Sequence, residues 1–113
     1  GGYAFTCESI DAPFTVLSKI LHSYPHIKIG IDAAATALFR NGTYAIAGET
    51  YTPDALCKEY VRLAQTYDFC SIEDPFSESD PEGFKAIRQE LPNITIVGDD
   101  LTTTNIKLIQ EKF

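Results

Sequence analysis

The sequence predicts an α/β protein built on a parallel sheet. Its 113 residues alternate short apolar runs, typical of strands, with longer stretches whose apolar residues recur at helical spacing. Turn and cap signals, chiefly Pro, Gly and Asn, stand between these segments. Because each predicted strand is followed by a predicted helix, consecutive strands are expected to run parallel.

Three strands are predicted, over residues 27–32, 69–72 and 94–97. Pro75 directly follows the second strand and its acids, and proline cannot donate to a sheet ladder. After the first strand, Asn41-Gly42 is a tight-turn signal, so a short hairpin is expected between Phe39 and Tyr44.

Four helices are predicted from apolar residues at helical spacing. The first three follow the capping residues Asp11, Thr52 and either Ser79 or Asp80, and the last begins near Thr104. The faces expected to be buried are, in chain order, Phe14, Leu17, Ile20 and Leu21; Leu56, Tyr60, Leu63 and Tyr67; Phe84, Ile87 and Leu91; and Ile106, Ile109 and Phe113.

Composition excludes several classes of protein. A net charge of −7 without a basic stripe argues against a nucleic-acid partner. No apolar run is long enough to cross a bilayer, and no secretory signal pattern is found. The odd set of cysteines, Cys7, Cys57 and Cys70, matches neither a zinc site nor a disulfide framework. We therefore expect reduced thiols and a cytoplasmic location.

Acidic residues stand at the ends of all three predicted strands: Asp32, Glu73 and Asp99. The carboxyl ends of neighbouring parallel strands meet at one edge of a sheet, about 5 Å apart. Carboxylates so close together repel unless they keep their protons or share a cation. Oxygen ligands without His or Cys favour magnesium over zinc. The pattern predicts a Mg²⁺ site formed by these three acids.

Each acid taken alone has a simpler interpretation, as a helix cap or a solvated loop residue. Three in succession at the same edge favour the metal site. Asp74 and Asp100 are interpreted as loop or capping acids, or as hydrogen-bonding partners of the ligands. His22 and His26 are expected at the opposite end of the sheet with structural roles, and Cys70 is expected to pack rather than react.

Three motifs resemble those of enolase, the phosphopyruvate hydratase of glycolysis. They are Ile29-Gly30-Ile31-Asp32-Ala33-Ala34-Ala35, Ser71-Ile72-Glu73-Asp74-Pro75-Phe76 and Val97-Gly98-Asp99-Asp100-Leu101-Thr102-Thr103-Thr104-Asn105, and Gly1-Gly2-Tyr3-Ala4 resembles the loop after a catalytic glutamate of enolases. The resemblance implies a partial (β/α)8 TIM-type barrel with about three parallel βα units. A full barrel needs about 250 residues, so residues 1–113 are expected to be a fragment of the C-terminal barrel domain.

By this resemblance, Asp32, Glu73 and Asp99 bind Mg²⁺, and Glu73 and Asp99 also border the substrate. The implied reaction is the reversible dehydration of 2-phosphoglycerate to phosphoenolpyruvate, and the full-length protein is expected to be a homodimer. The family's lysine base and glutamate acid fall outside the segment, so no catalytic residue is expected within it and the isolated segment should be inactive. Three residues depart from the usual family residues, namely Phe5, Ala37 and Ile106.

Three alternatives stay open at this stage. Another enzyme of the superfamily, acting on a different carboxylate, would share the three acids. A non-catalytic interaction protein would keep the fold and lose the base. A metal-free pocket like that of response regulators would need a phosphoacceptor and a lysine in an arrangement that the sequence does not show. The residue at the end of the next strand, lysine or otherwise, separates enzyme from scaffold.

Overall fold

We describe a computed structural model of the chain, covering residues 6–103 and 105–112, with residues 111 and 112 described by their backbone only. The strands are β1 (Ile29–Asp32), β2 (Phe39–Arg40), β3 (Thr43–Ile46), β4 (Glu49–Tyr51), β5 (Phe69–Glu73) and β6 (Thr95–Val97). The helices are α1 (Ala12–Leu21), α2 (Pro53–Tyr67), α3 (Pro81–Glu90), α4 (Asp99–Thr102) and α5 (Ile106–Lys112), and a 3-10 turn covers Ala35–Leu38. The predictions for residues 1–5, Thr104 and Phe113 lie outside the described residues.

The predicted parallel sheet is confirmed. β5 lies between β1 and β6 and pairs in parallel with both. Each crossover carries a helix, α2 between β1 and β5 and α3 between β5 and β6. The first and third strands begin later than predicted, at Ile29 and Thr95, and the second extends to Glu73.

The predicted hairpin forms, and it belongs to a larger unit. β2 and β3 pair antiparallel around Asn41-Gly42, whose φ angles are 51° and 83°. A second turn, Ala47-Gly48, repeats the two positive φ angles and adds β4 to β3. This third strand was not predicted, because alanine is an uncommon residue at a positive φ and gives no turn signal.

The starts of α2 and α3 agree with the predicted caps. Thr52 Oγ1 accepts a hydrogen bond from the Ala55 amide at 3.2 Å. Asp80, rather than Ser79, caps α3, since its Oδ1 accepts from the Gly83 amide at 3.1 Å. The predicted faces of both helices are buried, except that Tyr67 is only partly so.

The prediction for α1 needs correction. Asp11 occupies the N-cap position without a capping bond, because its carboxylate accepts instead from the Arg62 guanidinium and the Tyr67 hydroxyl. Of the predicted apolar face, Leu17 and Ile20 are exposed, Ile20 by 56%. Amphipathic spacing marks a face that can be buried, but burial requires a neighbouring element. In the part of the chain that the structure describes, no helix or strand packs over this side of α1.

The predicted burial of α5 is also wrong. Ile106 and Ile109 were expected to be buried, yet Ile106 is 70% exposed and Ile109 is also exposed. The helix itself is present, and it begins at Ile106. As in α1, the spacing of the apolar residues predicts the helix correctly and its burial incorrectly.

An aromatic cluster at the centre of the core holds the start of the β5–α3 connection. The ring of Phe76 lies 5.8 Å from that of Tyr44, 5.9 Å from that of Tyr60 and 6.2 Å from that of Phe84. Edge-on ring pairs at these distances are favourable in addition to the area they bury. The loop that follows Glu73 is thereby fixed to the hairpin, to α2 and to α3.

None of the described helices has the length and apolarity needed to span a membrane.

Candidate metal centre

Two of the three predicted ligands stand side by side. Asp32 and Glu73 are the last residues of β1 and β5, and they are register partners across the parallel pair. Partners in adjacent strands lie about 5 Å apart. The backbone continues this pairing beyond the strands, since the Ala33 amide donates to the Glu73 carbonyl at 2.9 Å. The sheet therefore brings these two acids to one edge.

The third predicted ligand, Asp99, is not at a strand end. The register partner of Glu73 in β6 is Val97, and Asp99 lies two residues further on, as the first residue of α4. Gly98 packs closely against α4 at this change of direction, since a Cβ there would lie 3.1 Å from the Leu101 Cβ. Glycine at this position therefore permits the close packing of α4.

The charged groups that shift the pKa of Glu73 are four carboxylates. Partial loss of hydration makes the largest contribution to the raised pKa of Glu73, and the nearby Asp32, Asp74, Asp99 and Asp100 raise it further. An oxygen donor set with this excess of negative charge fits a hard divalent cation, which would offset the repulsion.

The side chains do not form a closed ligand set in this conformation. Among the residues that the structure describes, no three Asp, Glu, His or Cys side chains are placed to hold a metal ion. Asp32 is exposed, and its Oδ1 accepts from the Ala34 amide at 3.0 Å. Asp99 is displaced along the chain from the register of the other two. Magnesium binding by the three acids stays a prediction.

Asp74 bonds to the first turn of α4 from a distant part of the chain, whereas the N-cap position of that helix is held by Gly98. Both of its carboxylate oxygens lie 3.2 Å from the Asp100 amide, in the first turn of α4. Burial raises the pKa of Asp74, the Asp100 amide lowers it, and the neighbouring acids raise it again. The carboxylate is thus turned toward the backbone of the loop that carries Asp99.

Sequence reasoning missed Tyr44, which anchors the other side of the loop after Glu73. Its buried hydroxyl donates to Asp80 Oδ2 at 2.9 Å and accepts from the Ser77 amide at 3.0 Å. The hydroxyl of Thr36 accepts from the Glu78 amide at 3.1 Å. A tyrosine next to a turn signal could have been identified as a buried hairpin residue, but nothing in the sequence indicates its partners.

Cys70 was expected to pack, and that prediction is wrong. The thiol is exposed on β5, next to the buried Phe69. His22 and His26 are both exposed. They lie before the start of β1, at the end of the sheet opposite the acids, as predicted.

A cavity of about 430 Å³ lies between α1, β1 and the hairpin, and it reaches the acidic edge only at Asp32. Of the three predicted ligands it contacts only Asp32. Its other lining residues are mostly apolar, among them Ile10, Phe14, Ile31 and Leu38. Such a lining does not suit a hydrated metal ion.

Comparison with known proteins identifies the family. All of residues 1–113 match the family described as enolase, C-terminal TIM barrel domain. The chain belongs to this family. It is 46% identical over 117 residues to the enolase of Aeropyrum pernix, 38% over 105 residues to that of Campylobacter jejuni, and 36% over 106 residues to that of Sulfurisphaera tokodaii.

These alignments cover most of this chain and a small part of each enolase. They include 98%, 92% and 94% of the chain, respectively, and 27%, 25% and 25% of the relatives. The chain therefore spans about a quarter of the length of the curated enolases it matches. The partial TIM-type barrel with three parallel βα units is confirmed as the fold class. In TIM barrels the active site lies at the carboxyl ends of the strands, the end at which Asp32 and Glu73 stand.

Proposed function

We propose that the full-length protein is an enolase that catalyses the Mg²⁺-dependent, reversible dehydration of 2-phosphoglycerate to phosphoenolpyruvate. The family match over all 113 residues carries this proposal. The pairing of Asp32 with Glu73 at the carboxyl edge of the sheet supports it. A cytoplasmic homodimer, acting on a small molecule rather than on nucleic acid, is proposed from the same resemblance.

The proposed role of this segment is to hold the metal and one side of the substrate. Asp32, Glu73 and Asp99 are proposed as the ligands of Mg²⁺, with Glu73 and Asp99 also bordering the substrate. Carboxylate oxygens are the donors that Mg²⁺ prefers. When bound, the ion supplies positive charge where negative charge develops on the substrate carboxylate. The residues of the chain hold that charge in a fixed place, which is the main requirement for electrostatic stabilisation.

The proton-transfer groups are proposed to lie outside residues 1–113, so the segment on its own is expected to be inactive. The loop after β5 contributes to catalysis through rigidity. Phe76 is fully buried, and Tyr44 bonds both ends of the adjoining turn, so Glu73 precedes a loop with little freedom to move. A fixed ligand avoids reorganisation during the reaction.

The test is turnover of 2-phosphoglycerate by the full-length protein, followed by the absorbance of the enol product. We expect activity with Mg²⁺, loss on chelation and recovery on adding Mg²⁺ back. Asp32→Asn should lower the rate at least about a hundredfold, because a lost metal contact removes several kcal/mol of transition-state stabilisation. The matched control is Asp68→Asn, an exposed acid that follows α2 and pairs with Lys28.

Two results would contradict the proposal. Exchange of the α-proton of another carboxylate substrate, without turnover of 2-phosphoglycerate, would indicate a different enzyme of the superfamily. Absence of both activities in a protein that folds would indicate a non-catalytic scaffold, especially if the next strand ends in a residue other than lysine.

A further inference from the structure

Asp74 joins the three chain segments that carry the proposed ligands. It directly follows Glu73, and its amide donates to the Val97 carbonyl of β6 at 2.9 Å. Its carbonyl accepts from the Ala35 amide, just after β1, at 3.0 Å. Its carboxylate accepts from the Asp100 amide, at 3.2 Å from each oxygen. One residue therefore bonds to the end of β6, to the 3-10 turn that follows β1 and to the start of α4.

The conformation of Asp74 shows how strongly this position is determined. Its φ is 42°, in the left-handed region, which aspartate and asparagine adopt more readily than most residues other than glycine. It is only 4% exposed, although it carries a carboxylate. Conformations of this kind persist where the surrounding contacts require them, and here those contacts are the three hydrogen bonds just described, the one from the Asp100 amide being shared between both carboxylate oxygens.

We infer that Asp74 is a positioning residue that sets the spacing of Asp32, Glu73 and Asp99 and does not bind the metal itself. Its carboxylate is buried and faces the Asp100 amide, so it acts through the backbone beside Asp99. This inference depends on the proposed function, since the spacing matters only if the three acids share an ion.

A positioning role and a charge role predict different behaviour for two substitutions. Asp74→Asn keeps an oxygen that can accept from the Asp100 amide, and asparagine tolerates a positive φ. Asp74→Gly also permits the positive φ but removes the acceptor. If Asp74 acts by position, the asparagine variant should behave like wild type. If it acts by charge, the two variants should be equally impaired.

The test is titration of the full-length protein with Mn²⁺ as the probe, measuring free ion by electron paramagnetic resonance. Asp74→Gly should weaken Mn²⁺ binding by about 10–100-fold, the usual effect of losing a residue that orients ligands. Asp74→Asn should stay within about threefold of wild type. The control is Thr52→Ala, which removes the cap of α2, a single bond of 3.2 Å far from the acids in sequence. It should lower the melting temperature without changing Mn²⁺ affinity.

Three outcomes would overturn the inference: unchanged affinity in Asp74→Gly, equal losses in Asp74→Gly and Asp74→Asn, or an equal loss in Thr52→Ala. Failure of the proposed function would look different. In that case wild type would bind no Mn²⁺, or Glu73→Gln would bind it as wild type does. If Glu73→Gln weakens binding and Asp74→Gly does not, only the positioning role fails.

A second measurement applies if Asp74→Gly does not fold. Hydrogen exchange in the wild-type full-length protein should slow on adding Mg²⁺, by a similar factor, at the amides of Ala35, Asp74 and Asp100. The amide of Ala55, bonded to the cap of α2, should not change. Unequal factors, or no change at the three amides, would show that Asp74 does not couple these segments.

Discussion

The two loops at the acidic edge differ in how they are held. The first four residues of the loop after β5, Asp74 to Ser77, are buried, and the loop becomes exposed only at Glu78 and Ser79. In the loop after β6, Asp99 and Asp100 are exposed, and the buried residue is Leu101 of the short helix α4. The loop after β5 therefore begins inside the core, whereas the segment after β6 contacts the core mainly through Leu101.

The difference indicates that the proposed ligands are secured in two ways. Glu73 precedes a loop fixed by the aromatic cluster and the Tyr44 hydroxyl, so its position follows from the stability of the core. Asp99 depends on the side chain of Asp74, which reaches from the first loop into the second. Disruption of the first loop should reduce stability, whereas disruption of the second should reduce metal affinity with little loss of stability.

The largest effect is expected from Phe76→Ala. Because this side chain is fully buried against three aromatic rings, its removal should lower the free energy of unfolding by about 3–5 kcal/mol. Urea denaturation of the full-length protein measures the change. The control in the second loop is Asp100→Ala, an exposed position that should change stability by no more than about 0.5 kcal/mol. Similar losses in the two variants would contradict the comparison.

A smaller effect is expected from Tyr44→Phe. The substitution keeps the ring and leaves the buried Ser77 amide without its acceptor, which should cost about 1–3 kcal/mol. Tyr24→Phe is the matched control, because the Tyr24 ring is about half exposed and its hydroxyl lies far from both loops in the chain. Urea denaturation should separate the two variants, and a loss below about 0.5 kcal/mol for Tyr44→Phe would show that the hydroxyl does not hold the loop.

The smallest effect is expected away from both loops, where Asp11 contacts α2. The hydrogen bond from Arg62 lowers the pKa of Asp11, with a smaller contribution from Tyr67. The folded pKa lies below the unfolded value of about 3.9, so the carboxylate stabilises the fold above pH 4. That stabilisation is lost as the pH falls through the folded pKa.

We expect Asp11→Asn to cost less than about 1 kcal/mol at pH 7, as partly exposed ion pairs usually do. The difference from wild type should shrink as the pH falls below 4. Urea denaturation at several pH values checks this, and a difference that stays constant down to pH 2 would show that ionisation of Asp11 is not its origin.

The predicted elements of the fold were found because each has a local signal, which β4, after the Ala47-Gly48 turn, lacks. Thr52 and Asp80 mark helix starts, and Asn41-Gly42 marks a turn, through chemistry confined to a few residues. The burial of α1 and α5 could not be predicted, since Ile20 and Ile106 have the right spacing but no described neighbour. Periodicity identifies an apolar face and says nothing about what covers it.

The candidate site could be predicted only in part, for a related reason. Strand ends meet at one edge of any parallel sheet, so the pairing of Asp32 with Glu73 follows from the order of elements. The displacement of Asp99 into α4 goes with the close packing of Gly98 on Leu101. It also goes with a hydrogen bond that the Asp100 amide donates to Asp74, which is distant in the chain. Such long-range hydrogen bonds leave no pattern in the sequence.

The most direct test of the account is Mn²⁺ affinity of the full-length protein carrying Glu73→Gln, with the exposed Glu78→Gln as the matched control. Glu73→Gln should weaken binding at least about tenfold, because a neutral amide replaces the central carboxylate of the set, and Glu78→Gln should bind as wild type does. Equal affinity in wild type and Glu73→Gln would contradict the claim that Asp32, Glu73 and Asp99 share one ion.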